Sequence, residues 1–189
     1  METAVKLQKF FDDKLANIDP TPTEFQDQKA AMWIAGNINQ VVQFDDFPDL
    51  HWGSTYLPKT GDHVVSNCGS WTLGISKDCK DPDAAYVALE FMTNSESTRL
   101  YGEVGGYPPA RKSAYENNTQ WDEYPYSLAK EQLFEAAVPR PKTPVYTVLT
   151  SKFAEAMLDI FTGSDAKESL DAVASYVDDE YARVKDSIK

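Results

Sequence analysis

The sequence predicts an α/β layered fold, in which helices alternate along the chain with strands and pack against them. Three observations carry that reading. Trp71, Leu73 and Ile75 alternate with Ser70, Thr72, Gly74 and Ser76, the period of two expected of a strand. Leu170, Val173, Ala174, Val177, Tyr181, Val184 and Ile188 recur at helical spacing, which predicts a long C-terminal helix. Proline and glycine clusters separate segments of these two kinds, and no internal repeat or low-complexity tract is present.

In chain order, Ala4, Leu7, Phe11, Leu15 and Ile18 form one apolar stripe, predicting a helix that ends before Asp19-Pro20. Residues 24–32 predict a short helix, residues 32–36 a buried strand reaching Gly36, and residues 37–43 a further helix start. Residues 44–61 contain Pro48, Gly53, Pro58 and Gly61 and read as a connection with a short strand at 52–57. After the strand at 71–76, Asp81 followed by Pro82 is a strong helix start, because proline in the first turn forfeits no intrahelical hydrogen bond. Ser95 is placed to cap a helix ending in the Gly102, Gly105, Gly106 cluster. Residues 127–137 and 152–161 read as helices, separated by the bends that Pro139, Pro141 and Pro144 impose. Gly163 suits a left-handed cap, and Asp165 with Glu168 three residues on forms a capping signature for the last helix.

Eighteen basic against 30 acidic side chains give a net charge of −12, which excludes a nucleic-acid binder that works by neutralising phosphates. Hydrophobic residues make up 42% of the 189, well above the composition of disordered chains, so a real core is expected. No apolar run of membrane-spanning length and no secretory signal is visible. Cys68 and Cys79 flank a stretch read as a strand, which would hold them too far apart to bridge, so two free thiols are expected.

Catalytic motifs are absent: there is no GxSxG, GxxxxGK[ST], HExxH or GxGxxG. His51 and His63 each stand alone in breaker-rich segments, and pairs such as Asp45-Asp46 and Asp122-Glu123 read as solvated faces. No cofactor or metal is expected. Aromatic residues are more informative. Phe11, Phe91, Phe153 and Phe161 lie on helical stripes and read as core. Trp71 follows Gly69-Ser70, where the backbone leaves room, while Tyr107 and Tyr146 sit at proline-stiffened bends. Such rings suit the C–H faces of a pyranose.

The ordered segments EFQDQKAAMWIAG, YLPKTGD, NCGSWTLGISKDCKDPDAAYVALEFMTNSE, GGYPPAR, RPKTPVY and FTGSDAKESLDAV resemble the C-terminal half of family 1 extracellular solute-binding proteins. These are the maltose-binding-protein-like sugar receptors of ABC importers. The resemblance implies a periplasmic-binding-protein-like (type II) lobe, with layered helices on a mixed sheet and an incomplete second lobe. It places residues 1–60 and 125–189 in the C-terminal lobe and residues 61–124 in the N-terminal lobe. It also implies a location at the extracellular face of the membrane, lipid-anchored through a segment this chain lacks, or in the periplasm. Position by position, Gly36, Asn37, Gly69, Ser70, Trp71, Tyr107 and Tyr146 correspond to ligand-facing positions, and Trp33 to packing beneath them. Ile38 stands where the family commonly has a sugar-stacking tryptophan.

The implied role is capture of a sugar or oligosaccharide without catalysis, for delivery to ABC permease subunits. Two readings from other classes compete: a carbohydrate-active enzyme fragment, and a same-fold receptor for a peptide, polyamine or metal. Unpaired strand edges in residues 61–124 predict self-association of the chain.

Overall fold

A computed structural model of the protein describes residues 1–59 and 61–185. Helices begin where short polar side chains can satisfy the free N–H groups of the first turn. Asp81 accepts a 3.0 Å bond from the Ala84 N–H and opens a helix over Pro82–Thr93, and Asp165 accepts at 2.8 Å from Glu168 to open Ala166–Val184. The helix Ser95–Gly105 is capped by Asn94, whose side chain accepts from the Ser97 N–H at 2.8 Å, rather than by Ser95.

In chain order the elements are α1 (Glu2–Asp12), a 3-10 helix (Ile38–Asp46), β1 (Ser66–Cys68), α2 (Pro82–Thr93), α3 (Ser95–Gly105), 3-10 turns at Lys112–Tyr115 and Thr119–Asp122, α4 (Tyr126–Ala136), β2 (Ala137–Pro139), α5 (Tyr146–Phe161) and α6 (Ala166–Val184). They form two units. Residues 1–22 with 141–189 make one, and residues 23–140 the other.

The first unit is helical. Ala4 of α1, Ile160 of α5 and Ala166 at the start of α6 form its buried centre, with Met157, Phe161 and Leu170 packed around them. Phe11 stacks on Phe161 at 4.4 Å, and Gln8 donates to the Ile160 carbonyl at 2.7 Å, fixing α1 to the C-terminal end of α5. α1 stops short of the predicted end at residue 18 because Lys14 turns left-handed at φ 57, while α5 starts six residues earlier than its stripe suggested. Ile188 of the predicted C-terminal stripe lies outside the described residues.

The second unit has two aromatic centres. Phe44 is buried, with Phe25 at 5.7 Å, Trp33 at 6.2 Å and Trp52 at 4.8 Å around it. Trp121 is wholly buried and meets Tyr115 and Tyr126 edge-on at 5.5 and 5.4 Å. Burial of its hydroxyl pushes the Tyr115 phenol up to about 12.

Sheet structure is sparser than the sequence predicts. β1 and β2 pair in parallel and form a two-stranded sheet, so helices with a small sheet make up the described α/β chain. Residues 32–36, 52–57 and 71–76 carry strand-like patterns yet form no ladder. A period of two specifies which side chains share a face, whereas a strand exists only where a neighbouring chain accepts its hydrogen bonds. Residues 24–28 form turns instead of a helix, with Gln28 at φ 59. Both cysteines are free thiols. No helix among the described residues is long and apolar enough to cross a membrane.

Candidate functional site

The sheet register decides which loops meet. Ser66 lies opposite Ala137, Asn67 opposite Val138 and Cys68 opposite Pro139. Because the strands are parallel, the chain leaves both at the same end, so Gly69-Ser70-Trp71 and Arg140 emerge side by side. A Cβ on Gly69 would stand 2.9 Å from Nη2, 3.0 Å from Cζ and 3.1 Å from Nε of Arg140. The guanidinium therefore rests against the bare Cα of Gly69. Ser70 Oγ donates to the Trp71 carbonyl at 3.3 Å.

Trp71 is 96% exposed. Covering an indole of this size removes about 150–250 Å² from water, at about 25 cal/mol per Å² of apolar surface, so this ring is a large unused docking surface. An exposed indole two residues along the chain from the glycine that a planar cation approaches, at the carboxyl ends of parallel strands, is suited to a ligand with one apolar face and a hydroxyl-rich edge. Arg140 was not among the residues that sequence reasoning singled out. The only trace of it there was its place in the segment RPKTPVY, since its nearness to Gly69 depends on strand register.

Gly36, Asn37 and Tyr107 lie on neighbouring segments of the same unit. Asn37 begins the 3-10 helix without a side-chain capping bond, and the Gly36 N–H donates instead to Gln40 Oε1 at 3.0 Å. α3 ends at Gly106, whose φ of 67 is the left-handed conformation open to glycine at little cost. A Cβ there would meet Asn39 Cα and Val42 Cγ2, each at 3.3 Å, so the turn before Tyr107 rests on the helix that Asn37 starts. Tyr107 is half-buried and stacks on Tyr101 at 5.3 Å and 15°. Trp33 packs with Phe25 at 6.1 Å and Phe44 at 6.2 Å. Tyr146 is the first residue of α5 and half-buried; it belongs to the other unit.

A groove of about 340 Å³ runs between residues 73–79 and α2, lined by Leu73, Ile75, Cys79, Ala85, Leu89 and Met92 among others. His51 and His63 are exposed, and among the described residues no group of three His, Cys, Asp or Glu side chains could hold a metal ion.

The bacterial extracellular solute-binding protein family model matches residues 2–129, more than half of the chain. The chain belongs to the bacterial extracellular solute-binding protein family. Membership carries a role in capturing solute for transport and a periplasmic or extracellular-surface location. Solute-binding proteins of this family are in general not catalysts. The matched span includes Gly36, Asn37, Gly69, Ser70, Trp71 and Tyr107, whereas Arg140 and Tyr146 lie beyond it.

Proposed function

We propose that this solute-binding protein is the C-terminal half of a two-lobed sugar receptor that serves an ABC importer. It grips a sugar or oligosaccharide between its lobes, changes no bond in it, and passes it to permease subunits. In the assembled receptor residues 1–60 and 125–189 belong to one lobe and residues 61–124 to the other, with a lipid anchor supplied by the complementary half. The observation that supports this reading most is the exposed Trp71 ring, two residues along the chain from the glycine that the Arg140 guanidinium approaches. The ring stacks on the C–H face of a pyranose, and Arg140, Ser70 and Asn37 bind hydroxyls, with Tyr107 adding a second ring. Closure of the lobes then strips water from both partners, and the ligand favours the closed state by its differential affinity.

Magnitudes set the affinity expected of this chain alone. Two or three rings and a few hydrogen bonds, at about 0.5–1.5 kcal/mol net each, must offset an association cost of at least ~4 kcal/mol. The surplus corresponds to millimolar binding or weaker, against the roughly −8 kcal/mol of a micromolar receptor. Calorimetry with D-glucose, D-xylose and maltose tests this on the chain and on the chain joined to its complementary half. The joined receptor is expected to bind one of them at micromolar concentration and the chain alone at millimolar or weaker. Micromolar binding by the chain alone, or release of reducing sugar from an oligosaccharide, contradicts the proposal.

Residues 71–76 form no ladder, with Trp71, Leu73 and Ile75 all exposed. An edge of this kind pairs with a strand of the complementary half in the receptor, and with another copy when that half is missing. Sedimentation of the chain at high concentration is expected to show oligomers that disappear on addition of the complementary half. A strictly monomeric chain contradicts the edge pairing.

A further inference from the structure

Gly69 has no conformational reason to be glycine. Its φ lies outside the left-handed range that Gly61, Gly106 and Gly163 adopt, so its backbone accommodates alanine without strain. What the position lacks is room. Three guanidinium atoms of Arg140 stand 2.9–3.1 Å from where a Cβ would be, and the nearest, Nη2 at 2.9 Å, is too close for a carbon unless the guanidinium shifts. The obstacle is the far end of a flexible side chain, so a methyl group there would displace the guanidinium rather than unfold the strand.

We propose that Gly69 is a positioning residue, whose missing side chain seats the Arg140 guanidinium at the carboxyl end of the β1–β2 pair, where the chain runs on to Trp71. The inference rests on the ligand-binding reading above, to which it adds the device that orients the cation. Arginine presents its donors in a rigid planar fork, so its value to a hydroxyl-bearing ligand depends on the direction of that plane. Held against Gly69 Cα, the fork is preorganised and less side-chain entropy is lost on binding. Once displaced by a methyl group, it keeps its charge but loses its aim.

The test compares Gly69→Ala, Arg140→Ala and the double variant, with D-glucose, D-xylose and maltose as probes in calorimetry or saturation-transfer NMR. The Arg140 Nε–Hε resonance reports directly on the guanidinium. Gly69→Ala is expected to shift that resonance, to leave the thermal midpoint within about 2 °C, and to weaken binding of the preferred saccharide about tenfold. That loss matches one hydrogen bond to a charged group. The double variant is expected to bind no more weakly than Arg140→Ala, because the glycine acts only through the arginine. An unmoved Arg140 resonance in Gly69→Ala, or losses that multiply in the double variant, overturns the proposal. Failure of the wild-type protein to bind any of the three sugars overturns the ligand-binding reading itself, and this inference with it.

Discussion

Replacing Trp71 with alanine is expected to weaken saccharide binding more than tenfold and leave the stability of the chain unchanged. The indole is 96% exposed, so its removal opens no cavity and breaks little packing. The expected change in unfolding free energy is within about 0.5 kcal/mol. Binding loses the stacking face and the apolar area it would cover, at least about 2 kcal/mol and therefore more than tenfold in Kd. Phenylalanine at this position keeps a smaller ring and is expected to restore part of the affinity. Calorimetry in the assembled receptor, paired with denaturant unfolding, separates the two effects. Retained affinity in Trp71→Ala shows that the ligand sits elsewhere.

Trp121→Ala is expected to do the reverse, lowering stability by about 3–5 kcal/mol. Trp121 is wholly buried, and Tyr115 and Tyr126 meet it edge-on at 5.5 and 5.4 Å. Tyr115 in turn meets Phe134 of α4 at 5.3 Å, so one indole ties the two 3-10 turns to that helix. Its N–H has no hydrogen-bond partner among the described protein groups, and losing that orphan offsets roughly 1–3 kcal/mol. The cavity left by a large aromatic is the larger effect, so the net change remains destabilising. Denaturant unfolding measures it, and a midpoint equal to wild type would show that this cluster is not a structural centre.

Helix starts were the most legible part of the fold because they are decided within four residues. Asp81 and Asp165 cap their helices through bonds to N–H groups three residues on, as their spacing predicts. Ser95 misled because its neighbour Asn94 offers the same acceptor one position earlier. Strands were the least legible. The clear alternation at residues 71–76 found no partner, whereas the paired segment Ser66–Cys68 has no apolar alternation at all. Its pairing with Ala137–Pro139 is a long-range event that local pattern does not encode. Arg140 escaped notice for the same reason, since only the parallel register carries it to Gly69. Trp121 was missed as core because it sits in a 3-10 turn, with no helical or strand period to reveal its buried side. Trp71, preceded by Gly69-Ser70, is 96% exposed.

The most direct measurement follows the four indole N–H resonances of the isotope-labelled chain as D-glucose, D-xylose or maltose is added into the tens of millimolar. The proposed receptor predicts that one of these sugars shifts the Trp71 resonance saturably while that of buried Trp121 stays in place. A Trp71 resonance unmoved by all three contradicts it.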